Sequence, residues 1–518
     1  LLMKKRFVAA LLIALVALIQ LNTAAQQIPY LSELLSRSEA FYKLYNEKRR
    51  AGANLSAIEP LRKRGEEAFR KGNIPGLVEL MSEGMNLLQG KPWDEKQRFM
   101  ASLTMETDRL VIEPNRELRV SLERIFPVDV DKAFESTPTV TFEVIPGENV
   151  YQQPASEQPA PRLKGPVVIA ERLAIAATSS NVARRLLLPD GAYWVVARIE
   201  SGAQKIGEIR RALYAISDFS DSLTQFSKIV ADIKNSTDAK VKAVAQLAAT
   251  PEFQIQRLAL LNKSRGEDEI NAIQEIDRIE SVLSALAKGQ NPFANERGEL
   301  ERAYKAPDGT LVPYRVYVPK SYDGTSARPM VLMLHGALGN ERYYFSYLFD
   351  PEVVKGEAER RGYILAGVNG RSRLPNYAGP GQEDSFEVIN AVTRDYKIDP
   401  TKIFLTGHSM GGFGTWLIAS NKPDLFAAIA PMSSGTPVRG NDLTALLEKV
   451  KAIPALVVHG GRDGIAPPEL SRNAVEAAKK AGMKVSLLEV PDADHISIIG
   501  ASFPAVLDFF EKNAKPAR

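Results

Sequence analysis

The sequence predicts a chain whose C-terminal part, residues 291–518, is an α/β unit with a doubly wound, mostly parallel sheet. Three observations predict it. Continuous apolar runs such as Met330–Leu334 and Ala455–His459 recur after about residue 300 and read as strands covered on both faces. Helical stretches alternate with these runs, the texture of a parallel sheet with helices on both sides. The segment Gly407-His408-Ser409-Met410-Gly411-Gly412 sits between the run Ile403–Thr406 and a helical stretch, a strand–turn–helix junction.

The elements before that unit follow from the N-terminus onward. Met3, the cations Lys4, Lys5 and Arg6, the apolar run Phe7–Ile19 and the small residues Thr23-Ala24-Ala25 read as a signal peptide over residues 1–25. The run is short of the roughly 20 residues that span a bilayer. The expectation is cleavage before Gln26, a secreted or periplasmic protein, and no membrane attachment afterwards. Residues 26–108 read as helical, from spacings such as Leu31, Leu34, Leu35 and Phe41, Leu44, Tyr45. Residues 109–205 change to a period of two and read as a small β-sandwich. Its strands are expected at Leu118–Ile125, Thr139–Ile145, Val182–Leu188 and Tyr193–Ile199, with Asp190-Gly191 as a hairpin turn. Tyr151–Pro166 reads as a loop, and Trp194 as a core residue. Residues 206–290 return to helical spacing, and Gly289–Pro292 marks a linker.

In residues 291–518 the expected strands are Tyr314–Val318, Met330–Leu334, Tyr363–Val368, Ile403–Thr406, Ala428–Pro431, Ala455–His459 and Val485–Val490. The expected helices are Ser385–Tyr396, Gly411–Asn421, Pro468–Ala481 and Phe503–Asn513.

Composition narrows the function. A chain of 518 residues is long enough for about three domains at roughly 100–200 residues each. The net charge is +4, with no dense basic block beyond Lys4–Arg6, which argues against nucleic acid as a partner. The chain has no cysteine, so disulfides, thiolate metal sites and cysteine nucleophiles are excluded. Its four histidines are His335, His408, His459 and His495, so imidazole chemistry belongs to the α/β unit. No metal site is evident.

The Gly407–Gly411 turn pushes the Ser409 hydroxyl above a sheet, and the helix after it points free N–H groups at the reaction centre. A serine hydroxyl is a poor nucleophile at neutral pH and needs a base. In this arrangement an acid and then a histidine follow the serine along the chain. Asp463, in the loop after Ala455–Gly460, is the candidate acid, and His495 the candidate base. Asp492 and Asp494 adjoin His495 on its own loop and reach the far ring nitrogen poorly. His459 is read as bracing the Asp463 loop, His408 as packing inside the elbow, and His335 as fixing the loop after its strand. The oxyanion hole needs two N–H donors. Met410 is one, and Ala337 the other, with Leu338 as second choice. This route of hydrolysis needs no cofactor.

These pieces resemble the α/β-hydrolases. The match rests on Leu334-His335-Gly336-Ala337, Asp399-Pro400-Thr401-Lys402-Ile403, Gly407–Gly412, Pro423-Asp424-Leu425-Phe426, Val458-His459-Gly460 with Asp463, and His495. Within that superfamily the C-terminal unit resembles secreted polyhydroxybutyrate-depolymerase-like and feruloyl-type esterases, and the catalytic domains of prolyl oligopeptidases. The resemblance covers somewhat under half the chain. It implies a serine hydrolase acting on a small or polymeric ester, with a peptidase as the alternative. No propeller-like repeat precedes the unit, which favours the ester reading. Glu383 and Asp384, the nearest candidates for an acidic pair around a peptide amine, are accounted for by the start of a helix. Tyr343, Tyr344, Phe345 and Tyr347 either wall an acyl pocket or pack. A binding protein that has lost activity is the remaining alternative, disfavoured because every triad and oxyanion position is filled.

Overall fold

The structure is a computed structural model that describes residues 30–147, 165–175, 179–261, 270–337, 339–371, 377–437 and 440–516. The expected signal peptide, most of the expected loop Tyr151–Pro166, and Leu338 lie outside the described residues. The chain divides between Gln290 and Asn291 into two compact units.

The N-terminal unit opens with helices Leu31–Arg50, Glu59–Arg70, Ile74–Leu88 and Glu95–Ser102. Asn73 Oδ1 accepts from Gly76 N and Asp94 Oδ1 from Gln97 N. Each satisfies an N–H that a first helical turn leaves unpaired. Phe41, Leu61, Leu77 and Leu80 form the helices' shared core. Eight strands follow: β1 (Leu103–Thr107), β2 (Val111–Ile112), β3 (Arg116–Arg124), β4 (Pro138–Pro146), β5 (Val167–Ala174), β6 (Ser179–Leu186), β7 (Gly191–Ser201) and β8 (Gln204–Ala215). They make a three-stranded sheet, β1-β3-β6, and a five-stranded sheet, β2-β8-β7-β4-β5. Met105, Leu118 and Leu122 of the first share one hydrophobic core with Val140, Phe142, Val195 and Leu213 of the second. Helices Phe219–Lys234, Ala239–Val244, Ala249–Leu261 and Ala272–Ala287 follow.

The helical reading of 26–108 ends at Ser102, because β1 begins at Leu103. Four of the five β1 residues are buried, so it shows no alternation to betray a strand. The helical reading of 206–290 is wrong for its first ten residues, which belong to β8. Ile206, Ile209 and Leu213 are spaced like a helical stripe, but pairing with β7 along its whole length overrides that spacing. Asp190-Gly191 is not a hairpin. It carries the chain from β6, which pairs with β3, to β7 in the other sheet. The tight hairpin is Gly202-Ala203 between Ser201 and Gln204, with Gly202 at φ 60°. Trp194 is only half-buried, on the opposite face of β7 from the buried Tyr193 and Val195.

The C-terminal unit has eight strands: β9 (Gly298–Lys305), β10 (Leu311–Val318), β11 (Arg328–Leu334), β12 (Ile364–Val368), β13 (Ile398–His408), β14 (Ala428–Met432), β15 (Ala455–Gly460) and β16 (Val485–Val490). Their order is β9-β10-β12-β11-β13-β14-β15-β16. The pairs β9/β10 and β10/β12 are antiparallel, and the rest are parallel. Strand β11 shows why the runs lack alternation: Met330, Leu332 and Leu334 enter the core on one face, and Val331 and Met333 the core on the other. Helices Pro351–Arg361, Pro380–Asp395, Met410–Asn421, Asn441–Val450, Glu469–Lys480 and Ile498–Lys512 accompany these strands. The first turn of Pro380–Asp395 begins five residues before the expected Ser385. Because the parallel strands run the same way, His335, Ser409, Ser433, Asp463 and His495 all follow carboxyl ends on one edge of the sheet.

Candidate active site

Strand β13 ends at His408, and the helix Met410–Asn421 begins immediately, so Ser409 must turn the chain within one residue. It does so at φ 55°, ψ −113°. A non-glycine residue held there costs on the order of 1–3 kcal/mol and needs surroundings that over-determine it. The glycines supply them. A Cβ on Gly407 would fall 2.1 Å from Gly411 O, and one on Gly411 would fall 2.1 Å from Leu334 O. One on Gly412 would fall 2.4 Å from Ser434 Oγ. Ser409 N donates to Met432 O at 2.9 Å, tying the turn to the end of β14.

The candidate acid and base come from separate loops. His495 Nδ1 donates to Asp463 Oδ2 at 2.7 Å, and both side chains are buried. Asp463 Oδ1 accepts from Ile465 N at 3.0 Å and Ala466 N at 2.7 Å. Burial raises the Asp463 carboxyl, but hydrogen bonds from His459 and His495 outweigh it and hold the group below the usual carboxylate range. Asp494 is spent on Ser497 and Ile496, and Asp492 on Arg462. The His495 ring lies 4.6 Å, centroid to centroid, from that of His408, beside the elbow. Among the described residues no hydrogen bond joins Ser409 to His495.

The loop after β11 reaches the same place. A Cβ on Gly336 would lie 3.4 Å from Ser409 Cβ. Gly339 N donates to Gly336 O at 3.1 Å, closing a turn that carries the exposed Ala337. Met410 N opens a helix and has no intrahelical acceptor. His335 is buried beneath, with Nδ1 2.7 Å from Gly336 O and Nε2 2.7 Å from Asn369 O. Burial lowers its basicity, so the neutral ring donates to one of these carbonyls.

Tyr343 does more than the sequence disclosed. Its hydroxyl is hydrogen-bonded to His408 Nδ1 at 2.8 Å, and burial holds the His408 ring neutral. Its side chain underlies the turn: a Cβ on Gly336 would fall 2.4 Å from its hydroxyl, and one on Gly339 2.5 Å from its ring. It stacks on Phe349 at 4.0 Å. Tyr344 and Phe345 are buried in the core, and Tyr347 is exposed. Ser433, at φ 47°, and Ser434 follow β14 with buried hydroxyls that have no partner among the described residues. Nothing in their sequence context marks them. Asp384 is fully buried, accepting from the Tyr304 hydroxyl at 2.7 Å and from Arg371 Nε at 2.9 Å. Among the described residues no group of acids and histidines is arranged to hold a metal ion, and no helix is long and apolar enough to cross a membrane.

This sheet order and elbow define the α/β-hydrolase superfamily, and the C-terminal unit has that fold. The model of the prolyl oligopeptidase family matches residues 375–451. The chain is similar to an uncharacterized peptidase, YuxL, of Bacillus subtilis (strain 168), 24% identical over 38% of this chain and 35% of that one. It is also similar to a bifunctional acetylxylan esterase/xylanase, XynS20E, of Neocallimastix patriciarum, 26% identical over 31% of this chain and 23% of that one. A third relative is poly(3-hydroxyalkanoate) depolymerase C of Paucimonas lemoignei, 24% identical over 27% of this chain and 38% of that one. Among solved structures, the feruloyl esterase module from Clostridium thermocellum is 18% identical, with TM-score 0.35, over 44% of this chain and 94% of that one. The chain thus spans about a third or less of the length of the first two curated relatives.

Proposed function

We propose that the protein is a serine hydrolase, and most specifically a carboxylic ester hydrolase, working through an acyl-enzyme on Ser409. The observation that carries this is the 2.7 Å hydrogen bond from His495 Nδ1 to Asp463 Oδ2, made between two loops that open on the same sheet edge as the strained Ser409. In this mechanism His495 Nε2 takes the Ser409 proton as Oγ attacks the acyl carbon. The N–H groups of Met410 and Ala337 receive the developing oxyanion. The intermediate collapses, the alcohol leaves with the proton from His495, and water attacks the acyl-enzyme by the same steps in reverse. Asp463 holds the ring in the tautomer that leaves Nε2 free to accept.

The match to the prolyl oligopeptidase family model favours a second reading, a peptidase. Two observations support the ester reading over it. Asp384, half of the acidic pair that came nearest to a site for a peptide amine, is buried and engaged by Tyr304 and Arg371. The described strands of the N-terminal unit form sheets of three and five strands, not the repeated four-stranded blades of a propeller. The helical segments with an inserted β-sandwich are proposed as an accessory unit to the hydrolase, and the N-terminal apolar run as an export signal. The specificity constant for simple acyl or feruloyl-type esters is expected to exceed that for prolyl or other peptidyl amides by at least about a hundredfold, ~2.7 kcal/mol of transition-state stabilisation. Measured on one preparation against both substrate panels, equal or better rates on a proline-containing peptide would transfer the assignment to the peptidase reading.

A further inference from the structure

The two N–H groups proposed for the oxyanion hole lie on different segments of the chain. Ala337 N is in the loop after β11, and Met410 N opens the helix after the elbow. Both must reach one oxygen, at about 2.7–3.1 Å each, so the spacing between loop and elbow is part of the chemistry. Backbone contact sets a lower limit to that spacing. A Cβ on Gly336 would fall 3.4 Å from Ser409 Cβ, and one on Gly411 would fall 2.1 Å from Leu334 O. Contact of this kind stops the segments from closing further, but not from drifting apart.

Tyr343 opposes the drift. It belongs to the loop, where its N–H donates to Asn340 O at 3.1 Å. From there its side chain runs beneath the turn, past the places that a Cβ on Gly339 or on Gly336 would occupy. Its hydroxyl ends 2.8 Å from Nδ1 of His408, the last residue of β13 and the one before Ser409. The ring is held on two sides, with Phe349 at 4.0 Å and Tyr344 edge-on at 5.7 Å, centroid to centroid. Tyr377 makes a different connection. Its hydroxyl donates to His335 O at 3.2 Å, and its ring lies 2.6 Å from where a Cβ on Gly414 would stand. Tyr377 thus holds the strand end to the body of the helix, whereas Tyr343 spans from Gly336, beside one donor, to the elbow that carries the other.

We propose that Tyr343 is a positioning residue for the oxyanion hole: its hydroxyl fixes the loop that carries the Ala337 N–H against the elbow that carries the Met410 N–H. This rests on the serine-hydrolase reading above. The strut works whichever of the two bonded atoms donates, and the phenol takes no part in proton transfer.

The consequence falls on the transition state. A loop that drifts from the elbow still admits the neutral carbonyl of a substrate, but it holds the tetrahedral oxygen poorly. Tyr343→Phe keeps the ring and removes only the hydroxyl. In that variant kcat is expected to fall by on the order of 10–100-fold with KM little changed.

The test uses the full-length protein, with active sites counted by fluorophosphonate labelling so that kcat refers to labelled sites alone. The probe is an alkyl trifluoromethyl ketone. Ser409 Oγ adds to its carbonyl carbon, the carbonyl oxygen takes the electron pair, and the serine proton passes to His495, which leaves an oxyanion in the hole. Tyr343→Phe is expected to weaken the ketone by about the same factor as kcat/KM, while binding of the matching alcohol, which presents no such oxyanion, stays unchanged. A packing role alone would lower Tm and the labelled fraction but leave kcat per labelled site and the ketone affinity intact; that result in a folded Tyr343→Phe would overturn the proposal. If Tyr343→Phe does not fold, Gly336→Ala carries the test, because its Cβ falls 2.4 Å from the hydroxyl and displaces it. Undiminished ketone affinity in Gly336→Ala would overturn the strut as well. A wild-type protein that forms no ketone adduct would instead refute the Ser409 reading, and the strut with it.

Discussion

At the scale of single residues the site is a set of conflicts resolved by neighbours. Ser409 holds an unfavourable backbone because Gly407, Gly411 and Gly412 leave it no other path. Asp463 remains ionised although buried, because four donors meet its two oxygens. That predicts the effect of Asp463→Asn. The amide leaves His495 in the wrong tautomer, and kcat is expected to fall about 10³–10⁴-fold with substrate binding little changed. Acid stability changes as well. The folded carboxyl sits below the roughly 3.9 of an unfolded aspartate, so the unfolded chain takes up the proton first. The stabilising contribution is therefore present above about pH 4 and is lost as the pH falls through the folded value. In Asp463→Asn, thermal unfolding followed from about pH 6 downward should show a shallower loss of stability. A variant with near-normal kcat and an unchanged acid profile would remove Asp463 from its assigned place.

At the scale of elements, the sequence was most readable where one face or one turn has a single solution. The parallel strands of the C-terminal unit announced themselves as continuous apolar runs because helices cover both their faces. Strand β8 was not legible, since Ile206, Ile209 and Leu213 imitate a helical stripe and only pairing with β7 decides otherwise. Asp190-Gly191 has hairpin chemistry but another use. Asp190 Oδ1 accepts from Ser217 N and Oγ at 2.9 and 2.7 Å, fastening the crossover between sheets to the segment after β8. The reversal falls instead at Gly202, at φ 60°, where a Cβ would meet only Ser136 Oγ, at 3.7 Å. Gly202→Ala therefore carries a conformational cost with no serious clash, about 1–2 kcal/mol. The unfolding transition of the N-terminal unit, followed by calorimetry, should drop by about 2–8 °C. No change in Tm would mean that the β7/β8 hairpin does not depend on that turn.

At the scale of the whole molecule, the candidate site can be named from chain order alone. Ser409, Asp463 and His495 stand in a chain order that a parallel sheet converts into proximity, because every loop in question leaves a strand at its carboxyl end. The place of His459 was legible in part: its position at the strand end before Asp463 suggested a brace for that loop, and the ring does meet Asp463 and Ala466 there, whereas its contact with Ser471 on the following helix is not written locally. The strut formed by Tyr343 and His408 was hidden likewise, since an aromatic after the β11 loop reads equally as pocket wall or as packing. The account stands or falls on Ser409 as the nucleophile. The most direct measurement is reaction of the folded full-length protein with a fluorophosphonate, read by intact mass and peptide mapping. The account predicts one adduct per chain, on Ser409, and none in Ser409→Ala. A folded protein that takes up no label, or takes it up equally well in Ser409→Ala, would contradict it.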